Sequence, residues 1–178
     1  KGIIDRAGQF VAGSDPAVRF HEGRGSFMLV RKAQGAARDL SLTQDDLDNV
    51  ITAKAAVFAA AKILLERLNL GFSDIKRLFL AGGFGNFIDR QNAIKIGLLP
   101  DLPLSRIQYA GNTSLWGAKL AAFSTEAFRE LRAIRKKTTY YDLLGSDDYV
   151  EQFKQAMFLP HTNIELFPSL AEPQSAVA

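Results

Sequence analysis

The stretch Leu80-Ala-Gly-Gly-Phe-Gly-Asn86 carries a short apolar run into a turn with glycines at 82, 83 and 85. Glycine has no Cβ and tolerates φ > 0, so a ligand can lie directly against the main chain. Amide N–H groups exposed in such a turn, near a helix start, suit phosphates and nucleotides. The same pattern also serves as a tight strand-to-helix connection that binds nothing, and the local residues leave both readings open. A second turn, Gly111-Asn-Thr-Ser114, follows another apolar run at 107–110. Lys54 lies among the alanines at 53, 55, 56, 59, 60 and 61 and is a candidate ligand-facing cation. Lysines in such settings commonly snorkel to solvent instead.

Other chemistries lack raw material. The chain has no cysteine, so thiolate zinc and iron–sulfur sites cannot form within it. Two histidines, His21 and His161, stand far apart in sequence, which argues against a histidine metal site or a Ser–His triad. As a dinucleotide fingerprint the turn fails, because Ile88 stands where the third glycine belongs. Asp101 is the carboxylate at about the right distance, but it lies in a Pro-bounded loop. No Gly-x-x-x-x-Gly-Lys-Ser/Thr phosphate loop occurs. No catalytic or metal-binding residue is therefore assigned.

The formal net charge of +3 is mild, and the basic run at 129–137 sits where a helix should end. There it complements the helix dipole, and no aromatic-interleaved basic module suggests nucleic acid. No apolar run reaches the roughly 18 residues of a membrane span. A cysteine-free globular composition fits the cytoplasm. The first residue is Lys1 rather than Met, so a fragment or a processed product is expected.

These turns need elements to hold them. Residues 1–42 read as β-rich, with a strand at 25–30 and a second at 38–42 pairing across the Gly35 region. Thr43 and Asp46 form a capping-box pair that opens a helix of roughly 25 residues, with Gly71 as its stop. Leu47, Val50, Ile51, Phe58, Ala61, Leu65 and Leu68 follow its period. Two strand–turn–helix units follow: 77–81 into a helix capped by Asp89 and ended at Gly97, then 107–110 into a helix capped by Thr113 or Ser114. Successive βα units argue for parallel strands in an α/β sheet, with both glycine turns on its carboxyl edge. A helix from about 126, a strand at 138–143 and a helix capped near Ser146 follow. Val150, Phe153 and Met157 form the last helix's core stripe. The expected organisation is a β-rich start at 1–42, a lobe at 43–167 and a flexible tail at 168–178.

Taken together, several segments resemble one family. Gly-Gly followed shortly by Asn, after two apolar residues, resembles the adenosine motif of the actin-like ATPase superfamily. Gly2-Ile-Ile-Asp-Arg-Ala-Gly8, Leu42-Thr-Gln-Asp-Asp-Leu-Asp-Asn49, Ala53-Lys-Ala-Ala56 and Leu80-Ala-Gly-Gly-Phe-Gly-Asn86 resemble the C-terminal region of the reductive activators of corrinoid proteins. So do Ile96-Gly-Leu-Leu-Pro-Asp-Leu-Pro103, Gly111-Asn-Thr-Ser114 and Phe158-Leu-Pro-His161. The resemblance implies an α/β lobe of the actin-like, ribonuclease H-like class, with a mixed sheet and flanking helices. It implies a parent with an N-terminal two-iron ferredoxin domain that uses ATP and Mg²⁺ to return cobalt(II) corrinoids to cobalt(I). The implied partner is the corrinoid protein of a methyltransferase system, with a homodimer as a further expectation.

By the same resemblance Gly82, Gly83, Phe84, Asn86 and Lys54 would contact the nucleotide, with Phe84 on the base. Asn86 would bond the ligand or cap the next helix. One departure stands out: the chain has no Asp-x-Gly, the core of the family's first phosphate loop. In that family the segment like 2–8 directly follows the second phosphate loop. Both loops and the ferredoxin cysteines are therefore expected upstream of Lys1, and no ATPase activity is expected of this stretch alone. A lobe cut from its neighbour should expose unusual apolar surface. The alternative is a non-catalytic interaction or dimerisation module, with structural glycine turns and an alanine-rich helix for close packing.

Overall fold

The computed structural model describes residues 2–32, 37–143 and 145–171. Its N-terminal part is an antiparallel sheet of β1 (Val18–His21), β2 (Arg24–Val30) and β3 (Leu40–Thr43), in that order. Glu22 and Gly23 turn β1 into β2 with φ of 49° and 79°. Two consecutive positive φ values match the right-handed twist of the flanking strands, which makes this a tight hairpin. The β2–β3 connection through Gly35 lies outside the described residues.

Thr43 then opens α1 (Gln44–Arg67) with the expected capping box: its hydroxyl accepts from the Asp46 N–H, and Asp46 accepts from the Thr43 N–H. The helix is ~36 Å long at 1.5 Å per residue. It ends four residues before Gly71, because Asn69 takes the left-handed conformation at φ 55°. Asn tolerates that region better than most residues, so no glycine is required. The buried stripe is Ile51, Lys54, Ala55, Phe58, Ala59 and Ile63. It is displaced from the expected stripe, and Val50 and Leu68 are exposed, because the inward face is built around Lys54.

The two βα units form as expected. β4 (Leu78–Ala81) pairs in parallel with β5 (Ile107–Gly111), and α2 (Gly82–Gly85) and α3 (Arg90–Lys95) lie between them in sequence. Asp89 caps α3 by accepting from the Asn92 N–H at 2.7 Å. Gly97 ends it at φ 76°. α4 (Thr113–Phe123) is capped by Asn112, whose side chain accepts from the Leu115 N–H, rather than by Thr113 or Ser114. An Asn one residue ahead of the helix reaches the first-turn donors just as the hydroxyls would.

α5 (Thr125–Lys137) follows α4 directly, and α6 (Asp147–Ala156) packs along α1. The strand expected at 138–143 is irregular chain, with Tyr141 under the Arg67 guanidinium. It belongs to neither of the two described sheets. The chain at Pro168–Leu170 is one 3₁₀ turn fastened to the body, not a free tail. The Ser169 N–H and hydroxyl donate to the Asp101 carboxylate at 2.7 and 2.8 Å. Residues 172–178 lie outside the described residues. The core joins Ala55 and Phe58 of α1, Leu80, Ile107, Ala93 and Ile94 of the βα units, and Ala156 and Phe167. No described helix is long and apolar enough to cross a membrane.

Candidate functional site

β4 and β5 run in parallel, so the turns that follow them open on the same carboxyl edge. Gly82 has φ 90° and Gly111 φ 70°, which only glycine adopts readily. A Cβ placed on Gly82, Gly83 or Gly111 would meet no protein atom within 4 Å. These positions therefore face open space, which is what a ligand approaching the main chain requires. Gly85 differs: it is buried, and a Cβ there would come within 3.3 Å of the Leu80 carbonyl carbon. Its glycine serves the packing of α2 onto β4.

Phe84 is 81% exposed and Phe87 89% exposed. Phe84 thus does not enter the core, as it would in a purely structural turn. A large exposed aromatic beside bare backbone can stack on a flat heterocycle. Asn86 is also exposed, and with Asp89 capping α3 it has no part in that cap. The 82–86 turn therefore combines main chain, one aromatic face and one amide, with no acid, base or metal ligand. No group of three or more potential metal-ligating side chains occurs among the described residues.

Lys54, the fifth expected site residue, is 1% exposed. Its ammonium donates to the Phe158 carbonyl and, at 2.7 Å, to the Pro160 carbonyl. In this arrangement it braces the chain on either side of the cis Leu159–Pro160 bond rather than facing a ligand. Burial lowers its pKa to about 8. His161 follows, 1% exposed and 5.2 Å between ring centroids from Phe58. Its Nδ1 accepts from the Asn163 N–H at 3.0 Å, and its Nε2 is buried with no partner among the described residues. Burial first, then the positive Lys54 and Lys62, push its pKa down to about 4. The Arg6 guanidinium closes the knot by donating to the His161 carbonyl at 2.7 Å. His161 is a neutral packing residue where the sequence had suggested no role.

Two residues of the site neighbourhood carried no signal in the sequence. The Tyr109 hydroxyl donates to the Ile88 carbonyl at 2.6 Å, and the Arg90 guanidinium lies 5.1 Å from the centre of the Tyr109 ring. Both look like ordinary strand and helix residues when the chain is read in one dimension.

A second surface is unusual. α4 and α5 have no buried residue, although α4 is apolar on nearly every side. Trp116, Leu120 and Phe123 of α4 and Phe128, Leu131 and Ile134 of α5 are all exposed, Phe123 by 91%. A helix that is apolar all round belongs inside a larger body.

Comparison with known proteins identifies the family and the fold. Residues 1–171 match the family described as the C-terminal domain of RACo, the ASKHA domain. The corrinoid activation enzyme RamQ of Eubacterium limosum is 30% identical over 164 residues, which cover 86% of this chain and 27% of RamQ. The [Co(II) methylated amine-specific corrinoid protein] reductase of Methanosarcina barkeri is 25% identical over 100 residues, 56% of this chain and 18% of that protein. The solved structure of a reductive activator for corrinoid, iron-sulfur protein superposes with a TM-score of 0.87 at 37% identity. That match covers 95% of this chain and 27% of the other. The chain thus spans about a quarter of the length of RamQ and of the solved activator. With the actin-like fold and nearly the whole chain matched, this protein belongs to the family of the C-terminal ASKHA domain of RACo.

Proposed function

We propose that this chain forms the adenosine side of the ATP cleft in a reductive activator that returns cobalt(II) corrinoid proteins to cobalt(I). The observation that carries the reading is Phe84, 81% exposed beside glycines whose missing Cβ atoms leave the main chain bare. Gly82 and Gly83 let the nucleoside lie against the backbone, Phe84 stacks on the base, and the Asn86 amide bonds its edge or the ribose. Lys54 is left out of the contact set because it is buried and its ammonium donates to two main-chain carbonyls of the core.

Bound ATP supplies the free energy that biases one arrangement of the parent protein over another. Phosphates and Mg²⁺ fall to residues outside this stretch, since it contains no Asp-x-Gly. The same holds for an iron–sulfur cluster, for which this chain has no cysteine. The corrinoid partner is inferred from what the relatives act on by name. The cytoplasm is the proposed compartment. The apolar α4–α5 surface fits an interlobe face in the longer protein; a homodimer contact is the second reading that the same surface supports.

Photolabelling of the full-length protein with 8-azido-ATP tests the site. Label on peptides spanning 82–87, competed by ATP, is expected. Competed label confined to other segments would sink the assignment.

A further inference from the structure

The 82–89 segment has few bonds of its own. α2 is a single turn, the Phe87 N–H donates to the Phe84 carbonyl at 3.1 Å, and Asp89 caps α3. Between these, Phe84, Asn86 and Phe87 all project outward and draw no stability from the core. Gly85 packs on β4 and Ile88 against the core, and one further anchor crosses from the sheet.

That anchor is on β5. Tyr109 pairs in register with Leu80, just below the turn, and its hydroxyl donates to the Ile88 carbonyl at 2.6 Å. One residue beyond Tyr109 the β4–β5 register shifts, so that Ala81 faces Gly111 and Ala110 is the extra residue. Such bulges re-aim neighbouring side chains and recur beside binding sites. From the other end of the segment, Arg90 donates to the Ile107 carbonyl at 2.8 Å and the Leu104 carbonyl at 3.3 Å. Its guanidinium also lies over the Tyr109 ring at 5.1 Å, which orients the phenol. Tyr109 is nearly half exposed, so this cross-brace sits at the surface rather than in the core.

We infer that Tyr109 and Arg90 are positioning residues that hold the 82–88 segment in its ligand-competent shape. This rests on the nucleotide reading of the turn. A flexible segment must be ordered when ligand binds, and that ordering lowers affinity; a braced one is already in place. Neither residue needs to touch the nucleotide.

The test uses the full-length protein, with ADP binding measured for Tyr109→Phe, Arg90→Lys and Gly83→Ala. Tyr109→Phe keeps the ring and removes only the hydroxyl. Its ADP affinity is expected to fall roughly two- to tenfold, the scale of one neutral hydrogen bond. Amide hydrogen exchange at 84–88 in the nucleotide-free protein should rise, with an unchanged midpoint of thermal unfolding. Arg90→Lys should move both readouts the same way, because an ammonium taking the place of Nη1 on the two carbonyls leaves no planar guanidinium over the Tyr109 ring. If Gly83→Ala weakens ADP while both brace variants bind normally, the positioning role is overturned and the nucleotide site stands. If none of the three weakens ADP, the nucleotide reading fails and the inference with it. A drop in thermal midpoint that accounts for the affinity loss would reduce the brace to a structural tie and overturn the proposal.

Discussion

Lys54 and Pro160 meet in the interior, the ammonium donating to the carbonyl at 2.7 Å from a side chain that is almost wholly buried. They are 106 residues apart in sequence, and the same ammonium also serves the Phe158 carbonyl. The contact fastens the chain just after α6 to the middle of α1. A buried charge is tolerated there because the carbonyls replace the water it has lost. Lys54→Met should fill much of the same volume but leave both carbonyls without a donor. A loss of about 2–4 kcal/mol is expected, measured by urea unfolding.

The neighbouring His161 makes the fold acid-sensitive. Its pKa falls from 6.5 when unfolded to about 4 when folded. Between those values the unfolded chain holds the extra proton, so stability is full above about pH 6.5 and falls as pH drops toward 4. Lys54 is charged in both states across this window and adds no slope. The loss from His161 is on the order of 3 kcal/mol once the pH is below about 4. His161→Asn, whose Oδ1 can still accept from the Asn163 N–H, should flatten this part of the stability–pH curve. An equally steep curve in the variant would assign the slope to other groups.

Two glycines should respond oppositely to the same methyl group. At Gly97, φ is 76° and a Cβ would come within 2.1 Å of the Pro160 carbonyl oxygen. Gly97→Ala should destabilise the protein by about 2–5 kcal/mol through backbone strain and overpacking. Gly83 has ordinary φ, lies within α2, and would place its Cβ in open space. Gly83→Ala should leave stability unchanged or raise it by about 0.5–1 kcal/mol. The same substitution should weaken nucleotide binding, because its methyl occupies the ligand's side of the turn. Thermal melts and ADP titrations of the two variants check the contrast.

Phe84→Ala separates folding from binding in the same way. An exposed ring contributes little to stability, so the change should be within about 0.5 kcal/mol. Loss of stacking should weaken adenine nucleotides by about 1–3 kcal/mol, the range seen for bases on aromatic side chains. Equilibrium titration with ADP, in the full-length protein, gives the answer directly.

Trp116 is the sole tryptophan of the 178-residue chain and is 64% exposed on α4. In this stretch alone its emission should be red-shifted and readily quenched by acrylamide. In the longer protein, an interlobe role for α4–α5 predicts a blue shift and protection from quencher, independent of protein concentration. Protection that appears only as concentration rises would instead favour the homodimer contact.

Local rules carried far in this chain because many of its boundaries are set by local chemistry. The capping box at Thr43 and Asp46, the Asp89 cap, the Gly97 stop and the two βα turns all depend on groups within a few residues of one another. Those same turns, read in combination with the other matching segments, were enough to indicate the family and the glycine turn at 82–86. The misses also have local causes: Asn69 replaced Gly71 at the end of α1, and Asn112 replaced Thr113 or Ser114 as the cap of α4, because several residue types satisfy the same backbone geometry. Tertiary structure alone decided where side chains of equal local plausibility would go. Lys54 turned inward because carbonyls more than 100 residues away receive its ammonium, while Phe84 stayed outside because Gly85 packs against β4 in its place. The 138–143 segment joined neither of the two described sheets, and Pro168–Leu170 docked because Asp101 was in reach of Ser169. Tyr109 and Arg90 became a brace only when β5 was laid beside β4, a juxtaposition that no spacing along the chain encodes.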